Sequence, residues 1–248
     1  MGDRKVAVVA GGSGGIGEGI VAALMDSGYR VWVPTREGDQ APRLRDYVAD
    51  LGELRTMPAD LCNEKEVTAF RDRIVEEEGR VEAVCVSVGA YYYGHRMHRM
   101  TLDAWNRSVQ DNLSTHFNLQ RAFVDHMRKQ DAGVYVTLTG PEAESIYPDE
   151  GVMSIMAAAQ KMMARVSARE AFDSNVRVHT VTAHTSVKTR SRGEDANPDW
   201  ITAADLGLYV AAVVDNRLPG GQEVLHELQD RDHVKKLLSG VRGPVSEP

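Results

Sequence analysis

The sequence predicts an α/β fold: a parallel, doubly wound sheet of about seven strands with helices on both faces. Three observations predict it. Short apolar runs alternate with helical stretches of about a dozen residues along the chain. A glycine-rich turn joins the first strand to the first helix. The length of 248 residues, with 42% hydrophobic and 26% charged, suits one soluble domain of ordinary size.

Each element can be placed in order. Val6 to Ala10 is unbroken apolar sequence, as a strand buried on both faces requires. A helix follows over Glu18 to Ser27, stopped by Gly28, and Tyr29 to Thr35 is the second strand. Gln40 to Leu51 reads as a short helix, Leu54 to Met57 as strand three, Asn63 to Glu78 as a helix ended by Gly79, and Val81 to Val88 as strand four. Thr101 caps a long helix reaching Arg128, with Trp105, Val109, Leu113 and Phe117 close to one face. Val134 to Leu138, Arg177 to Val181 and Glu223 to Leu228 complete the strands, with helices over Ser154 to Phe172 and Thr202 to Val214. No linker or repeat interrupts this order, so 1–240 reads as one domain and 241–248 as a flexible tail.

Composition narrows the functions. A formal net charge of −7 and a pI near 5.6 give no support for a nucleic-acid or membrane partner. Cys62 and Cys85 sit in or beside apolar runs and read as buried, reduced thiols of a cytoplasmic protein. His95 and His98 lack a third partner at ligand spacing, so no metal is expected. The apolar run after Met1-Gly2-Asp3-Arg4-Lys5 is too short for a signal peptide or membrane span, and Val6 breaks the myristoylation pattern.

The turn is Gly11-Gly12-Ser13-Gly14-Gly15-Ile16-Gly17. Glycines there let the backbone turn tightly and approach a pyrophosphate, while the helix N-terminus offers N–H groups and a positive dipole end. The end of strand two chooses between dinucleotides. A carboxylate would accept bonds from the adenosine ribose of NAD, whereas this chain has Thr35 and Arg36. A guanidinium suits the extra phosphate of NADP(H) with two charge-assisted bonds, and NADP(H) is therefore the expected cofactor.

The spacing Gly11-x-x-x-Gly15-Ile16-Gly17 resembles the short-chain dehydrogenase/reductase family in its single-domain form, a Rossmann-type fold. The resemblance extends along most of the chain. Asp60-Leu61 looks like the pair that meets adenine, Trp105 and Asn112-Leu113 like the family's Trp and Asn-Leu, and Gly220, Gly221 and Gln222 like the approach to its last strand. It implies cofactor contacts from Gly11, Ser13, Gly15, Ile16, Gly17, Thr35, Arg36, Asp60, Leu61, Ser87, Gly89 and Lys161. It also implies that Lys161 holds the nicotinamide ribose, that Asn112 helps hold a relay water, and that long helices pair subunits into a homodimer or homotetramer.

Four departures crowd the expected chemical centre. The family's Asn-Asn-Ala-Gly becomes Val86-Ser87-Val88-Gly89, where Gly89 keeps close cofactor approach open and Ser87 replaces a polar link. The catalytic serine position is Gly140, with Thr139 beside it as a substitute donor or a plain strand-end threonine. Tyr-x-x-x-Lys becomes Ala157-Ala158-Ala159-Gln160-Lys161, followed by Met162-Met163-Ala164 as a packing face. Alanine has no proton to give. The Pro-Gly pair after strand six becomes His184-Thr185, and Thr189 remains to meet the carboxamide.

Hydride addition to a carbonyl leaves negative charge that a donor must neutralise. Tyr147, in a lengthened loop, and His184 are candidates; Tyr91, Tyr92 and Tyr93 either donate or line an apolar pocket. Water near Asn112 and Lys161, or the substrate itself, are the remaining sources. The reading is an NADPH-dependent reductase of a carbonyl, imine or activated double bond in a small apolar or aromatic substrate. Lys161, Asn112, Tyr147 and Thr139 form its catalytic set. The alternatives are a non-redox enzyme (dehydratase, cyclase or isomerase) and an inactive NADPH-binding regulator.

Overall fold

In the computed structural model, residues 4–36, 40–94, 96–193, 197–219 and 223–241 are described, with Gln40 by its backbone alone. The calls on Gly2, His95 and Gly220 to Gln222 lie outside them, as does 242–248 of the expected tail. Val241 packs against the core.

Strand β1 (Val6–Ala10) is wholly buried and lies between β2 (Arg30–Thr35) and β4 (Ala83–Val86). Outside β2 runs β3 (Leu54–Pro58), and outside β4 run β5 (Gly133–Thr139) and β6 (Val176–Ala183). After β6 the chain makes a small separate ladder of β7 (Val187–Lys188) with β8 (Ile201–Thr202), then returns as the edge strand β9 (Leu225–Leu228). Every pairing is parallel, so helices must make the crossovers and cover both faces.

One face carries α1 (Gly17–Asp26), α2 (Gln40–Tyr47), α7 (Ala203–Val214) and α8 (Arg231–Ser239), packed around Leu24, Val33, Leu44 and Val210. The other carries α3 (Glu64–Glu78), α4 (Leu102–Val109), α5 (Thr115–Lys129) and α6 (Gly151–Glu170). There Trp32, Phe70 and Phe123 meet edge to face at 6.4 and 6.3 Å. The ladder β7–β8 and helix α8 escaped the sequence reading: two-residue strands are too short for a period, and α8 turns only Val234 fully inward.

The long helix expected from Thr101 is two helices joined by a π-turn over Gln110–Ser114. The wider turn shifts the phase of the buried stripe. Ser108, Asn112, Thr115, His116 and Leu119 point inward, while Phe117 is 53% exposed and Trp105 half-buried, so the apolar stripe read from the sequence is not the core face. Met162 also faces outward, at 51%. Cys85 is buried, but Cys62 is only half-buried; both are unpaired.

Among the described residues three histidines are buried. His116 Nε2 donates to the Val88 carbonyl at 3.0 Å, and His226 bridges the Tyr209 hydroxyl and His179. Burial pushes His116 and His179 each down to about 4 and lowers His226, so all three are neutral near pH 7.

Candidate active site

The chain reverses direction in the sheet between β1 and β4, and a cleft of about 240 Å³ opens there at the strand ends. Gly11, Ser13, Gly14, Thr35, Arg36, Asp60, Leu61, Ser87 and Gly89 line it. The turn after β1 holds its shape by backbone packing. Gly11 takes φ +81°, a Cβ on it would collide with the Ser87 carbonyl, and one on Gly17 would collide with the Gly11 carbonyl. No side chain caps α1; its Glu18 and Gly19 N–H groups already donate to the Gly14 and Ile16 carbonyls at 2.9 and 3.2 Å, and its positive dipole end faces the glycine turn.

Other members of the expected set sit behind this wall. Ile16 packs on the core and Gly15 against Thr189, whose Cβ lies 2.8 Å from where a Gly15 Cβ would stand. Gly89 keeps its small size for Asn112, whose Oδ1 would lie 2.7 Å from an added Cβ. Gly89 lines the cleft as well. Asn112 also accepts from Ala90 N (2.9 Å) and donates to Ala90 O (3.1 Å), fixing the backbone at the cleft mouth.

Glu18, in the first turn of α1, is nearly buried and would oppose an anion there if left charged and unpaired. Arg190 meets it with two 2.8 Å bonds and stacks 4.2 Å above the Tyr47 ring. Arg36 is exposed at the cleft, and Thr35 is buried with its carbonyl held by Ala59 N at 2.9 Å. Asp60 accepts from Cys62 N at 2.9 Å.

The chemical centre lies between α6 and the ends of β5, β6 and β9. Ala157 and Lys161 are buried one turn apart on α6. Lys161 Nζ donates to Glu144 and to Glu227, each at 2.5 Å. Burial works to lower its pKa, but the two carboxylate hydrogen bonds prevail and raise it above the ordinary lysine value. Burial likewise works to raise Glu227, yet bonds from Lys161 and His184 hold it below the usual carboxylate range. His184 Nε2 lies 2.6 Å from the second Glu227 oxygen.

Around this core, Thr139 Oγ1 donates to Thr182 Oγ1 at 3.2 Å, inside the protein. Gln160 Nε2 donates to the Asn112 carbonyl at 2.6 Å, occupying a group expected to hold water. A Cβ on Gly140 would strike the Glu142 carboxylate, which stands where a serine side chain would begin. Two loops close the mouth: Gly94 N donates to Asp149 O at 3.0 Å and Arg96 pairs with Asp149 at 3.3 Å. Tyr91 is hydrogen-bonded to Glu150 and Tyr92 to Asp111 (2.6 Å), and these carboxylate bonds push both phenols up to about 12. Tyr147 is 39% exposed, and no described residue hydrogen-bonds its hydroxyl.

Sequence reasoning missed Glu227, Glu144, Gln160 and the Glu18–Arg190 pair. Only Glu227 left a signal: a carboxylate inside the short strand run Val224-Leu225-His226-Glu227-Leu228. Among the described residues no group of three or more His, Cys, Asp or Glu is arranged to hold a metal, and no helix is long and apolar enough to cross a membrane.

A doubly wound parallel sheet with a glycine turn and an uncapped helix N-terminus at its reversal point defines a dinucleotide-binding protein. Residues 10–206 match a family profile described as enoyl-(acyl carrier protein) reductase. The chain belongs to the short-chain dehydrogenase/reductase family. It is 28% identical over 151 residues to glycine betaine reductase ATRR of Emericella nidulans, covering 60% of this chain but 12% of that protein. It is 25% identical over 180 residues to 7alpha-hydroxysteroid dehydrogenase of Escherichia coli K12, covering 72% and 70%. A metagenomic short-chain oxidoreductase solved in complex with NADP superposes with a TM-score of 0.76 at 23% identity, over 90% of this chain and 95% of that one.

Proposed function

We propose that this chain is an NADPH-dependent reductase acting on a carbonyl, imine or activated double bond of a small apolar or aromatic substrate, with a proton donor other than the tyrosine of its family. The observation that carries this reading is the pairing of Arg36 with uncharged Thr35 on the cleft that the glycine turn lines. A guanidinium there binds a phosphate on the adenosine ribose, and Thr35, the last residue of β2, brings no charge to repel it. The NADP found in the related metagenomic oxidoreductase supports the same choice.

When bound, the dinucleotide supplies hydride. The chain's residues do the rest. The turn from Gly11 to Gly17 and the start of α1 receive the diphosphate, with Glu18 neutralised by Arg190. Asp60 and Leu61 flank the adenine, and Asn112 fixes the backbone at Ala90 beside the nicotinamide end. Lys161 reaches the ribose by giving up Glu144, the more exposed of its two partners. Exposed Phe117 on α5 and Ile155, Met162 and Val166 on α6 offer a face for pairing two copies, as a soluble cytoplasmic homodimer or homotetramer.

The test is loss of NADPH absorbance against a panel of quinones, ketones, imines and enones. Turnover on at least one class is expected. Tight NADPH binding with no turnover on any would favour the regulator, and turnover of substrate without a change in cofactor oxidation state would favour a non-redox enzyme.

A further inference from the structure

We propose that His184 is the acid that protonates the reduced substrate, and that Glu227 is the positioning residue that orients its ring; this rests on the reductase reading above.

His184 begins the segment that leaves β6, and its backbone N–H donates to Leu228 O at 2.8 Å, so the last sheet strand fixes its place. Its Nε2 is 2.6 Å from Glu227 Oε2. The other Glu227 oxygen accepts from the Lys161 ammonium. A carboxylate held in this way is ionised and can only accept, so Nε2 must carry a proton. That leaves Nδ1 as the working nitrogen. No described residue hydrogen-bonds it, and it is not among the sealed polar atoms, the side chain being 22% exposed.

Register brings Glu227 beneath the helix that lacks the tyrosine. Thr139, Thr182 and Glu227 are Cα partners across β5, β6 and β9 and share one face of the sheet. That face lies under α6, where Glu227 meets Lys161, one turn from Ala157. Tyr147 keeps a hydroxyl that no described residue bonds, but it stands on the loop before α6, 39% exposed, and the other candidates are tied up. Thr139 is bonded to Thr182, Tyr91 and Tyr92 are raised by carboxylates, and Lys161 is held by two of them.

The charged groups facing the imidazole are Glu227 from β9, Lys161 from α6 and, through Lys161, Glu144 from the turn after β5. The step balances. As hydride bonds to the electrophilic carbon, the π pair moves to oxygen or nitrogen, which takes the proton from Nδ1. The substrate gains two electrons and the nicotinamide loses them. The ring remains as neutral imidazole with Nε2–H on Glu227, and its exposed edge recovers a proton from solvent.

The experiment uses the full chain and whichever panel substrate the wild type reduces. His184→Gln should lower kcat about 100- to 1,000-fold, as loss of a general acid does, while the NADPH dissociation constant from fluorescence stays within about twofold. Glu227→Gln should lower kcat about 10-fold, because an amide no longer fixes which ring nitrogen carries the proton, and Glu227→Asp should restore most of it. A purely structural role would weaken NADPH binding and thermal stability together with kcat. Wild-type kcat in His184→Gln or in Glu227→Gln overturns the assignment. If His184→Gln does not fold, the two Glu227 variants decide alone. Failure of the wild type to oxidise NADPH with every substrate instead overturns the reductase reading, and the acid with it.

Discussion

Lowering the pH from 7 to 5 should cost this fold far more stability than its carboxylates explain, because its buried histidines must be neutral. His116 and His179 are each about 1% exposed, and burial depresses each from 6.5 to about 4. A depressed folded-state value means that the unfolded chain binds the proton first. The stability is therefore fully present above the unfolded value and lost as pH falls toward the folded one. Over this window each contributes about 2 kcal/mol, or roughly 4 kcal/mol for the pair. His226 is lowered as well and adds in the same direction. Against a total of about 5–15 kcal/mol for ordinary domains, that is a large share. Urea unfolding followed by circular dichroism at pH 7, 6 and 5 measures the slope directly. In His116→Gln the slope should fall by about 2 kcal/mol over the window whatever the variant's absolute stability. A wild-type loss below about 1 kcal/mol would show that these rings are charged or solvated in the fold, refuting the burial argument.

Three further outcomes follow from contacts already described. Arg36→Ala should weaken NADPH binding by about 10- to 100-fold, with NADH binding changed less than about threefold, since only the former carries the extra phosphate; titration of cofactor fluorescence checks it. Gly17→Ala should destabilise by about 3 kcal/mol or more, because the new methyl meets the rigid Gly11 carbonyl; thermal unfolding with a shift of several degrees is the readout. Gln160→Ala should cost about 1–2 kcal/mol by leaving the Asn112 carbonyl without its donor, read in the same urea titration.

The order of elements was legible because a parallel sheet writes itself as alternating apolar runs and helices. Val6–Ala10 and Ala83–Val86 are apolar throughout because neither face of them meets water. The cleft at the β1–β4 reversal was legible for a related reason: the glycines, Arg36 and Asp60 that line it fall near strand ends, and strand ends are local in sequence. The cluster of Lys161, Glu227 and His184 was not. Glu227 lies 66 residues from Lys161 and 43 from His184, and only the β6–β9 register brings them together. Departures such as Ala157 could be seen as losses, but what replaced them depends on strand pairing. The helix phase failed locally, since a single π-turn at Gln110–Ser114 rotates everything beyond it.

That π-turn also sets which kinds of change the protein can absorb. A wider turn takes one extra residue into a single circuit, so a one-residue deletion that closed it to an α-turn would leave the helices on either side in phase. It would remove the local offset that turns Asp111 toward Tyr92 and the Asn112 carbonyl toward Gln160. The extra residue at Gln110–Ser114 thus shapes the contacts at the cleft mouth while the two helices keep their packing.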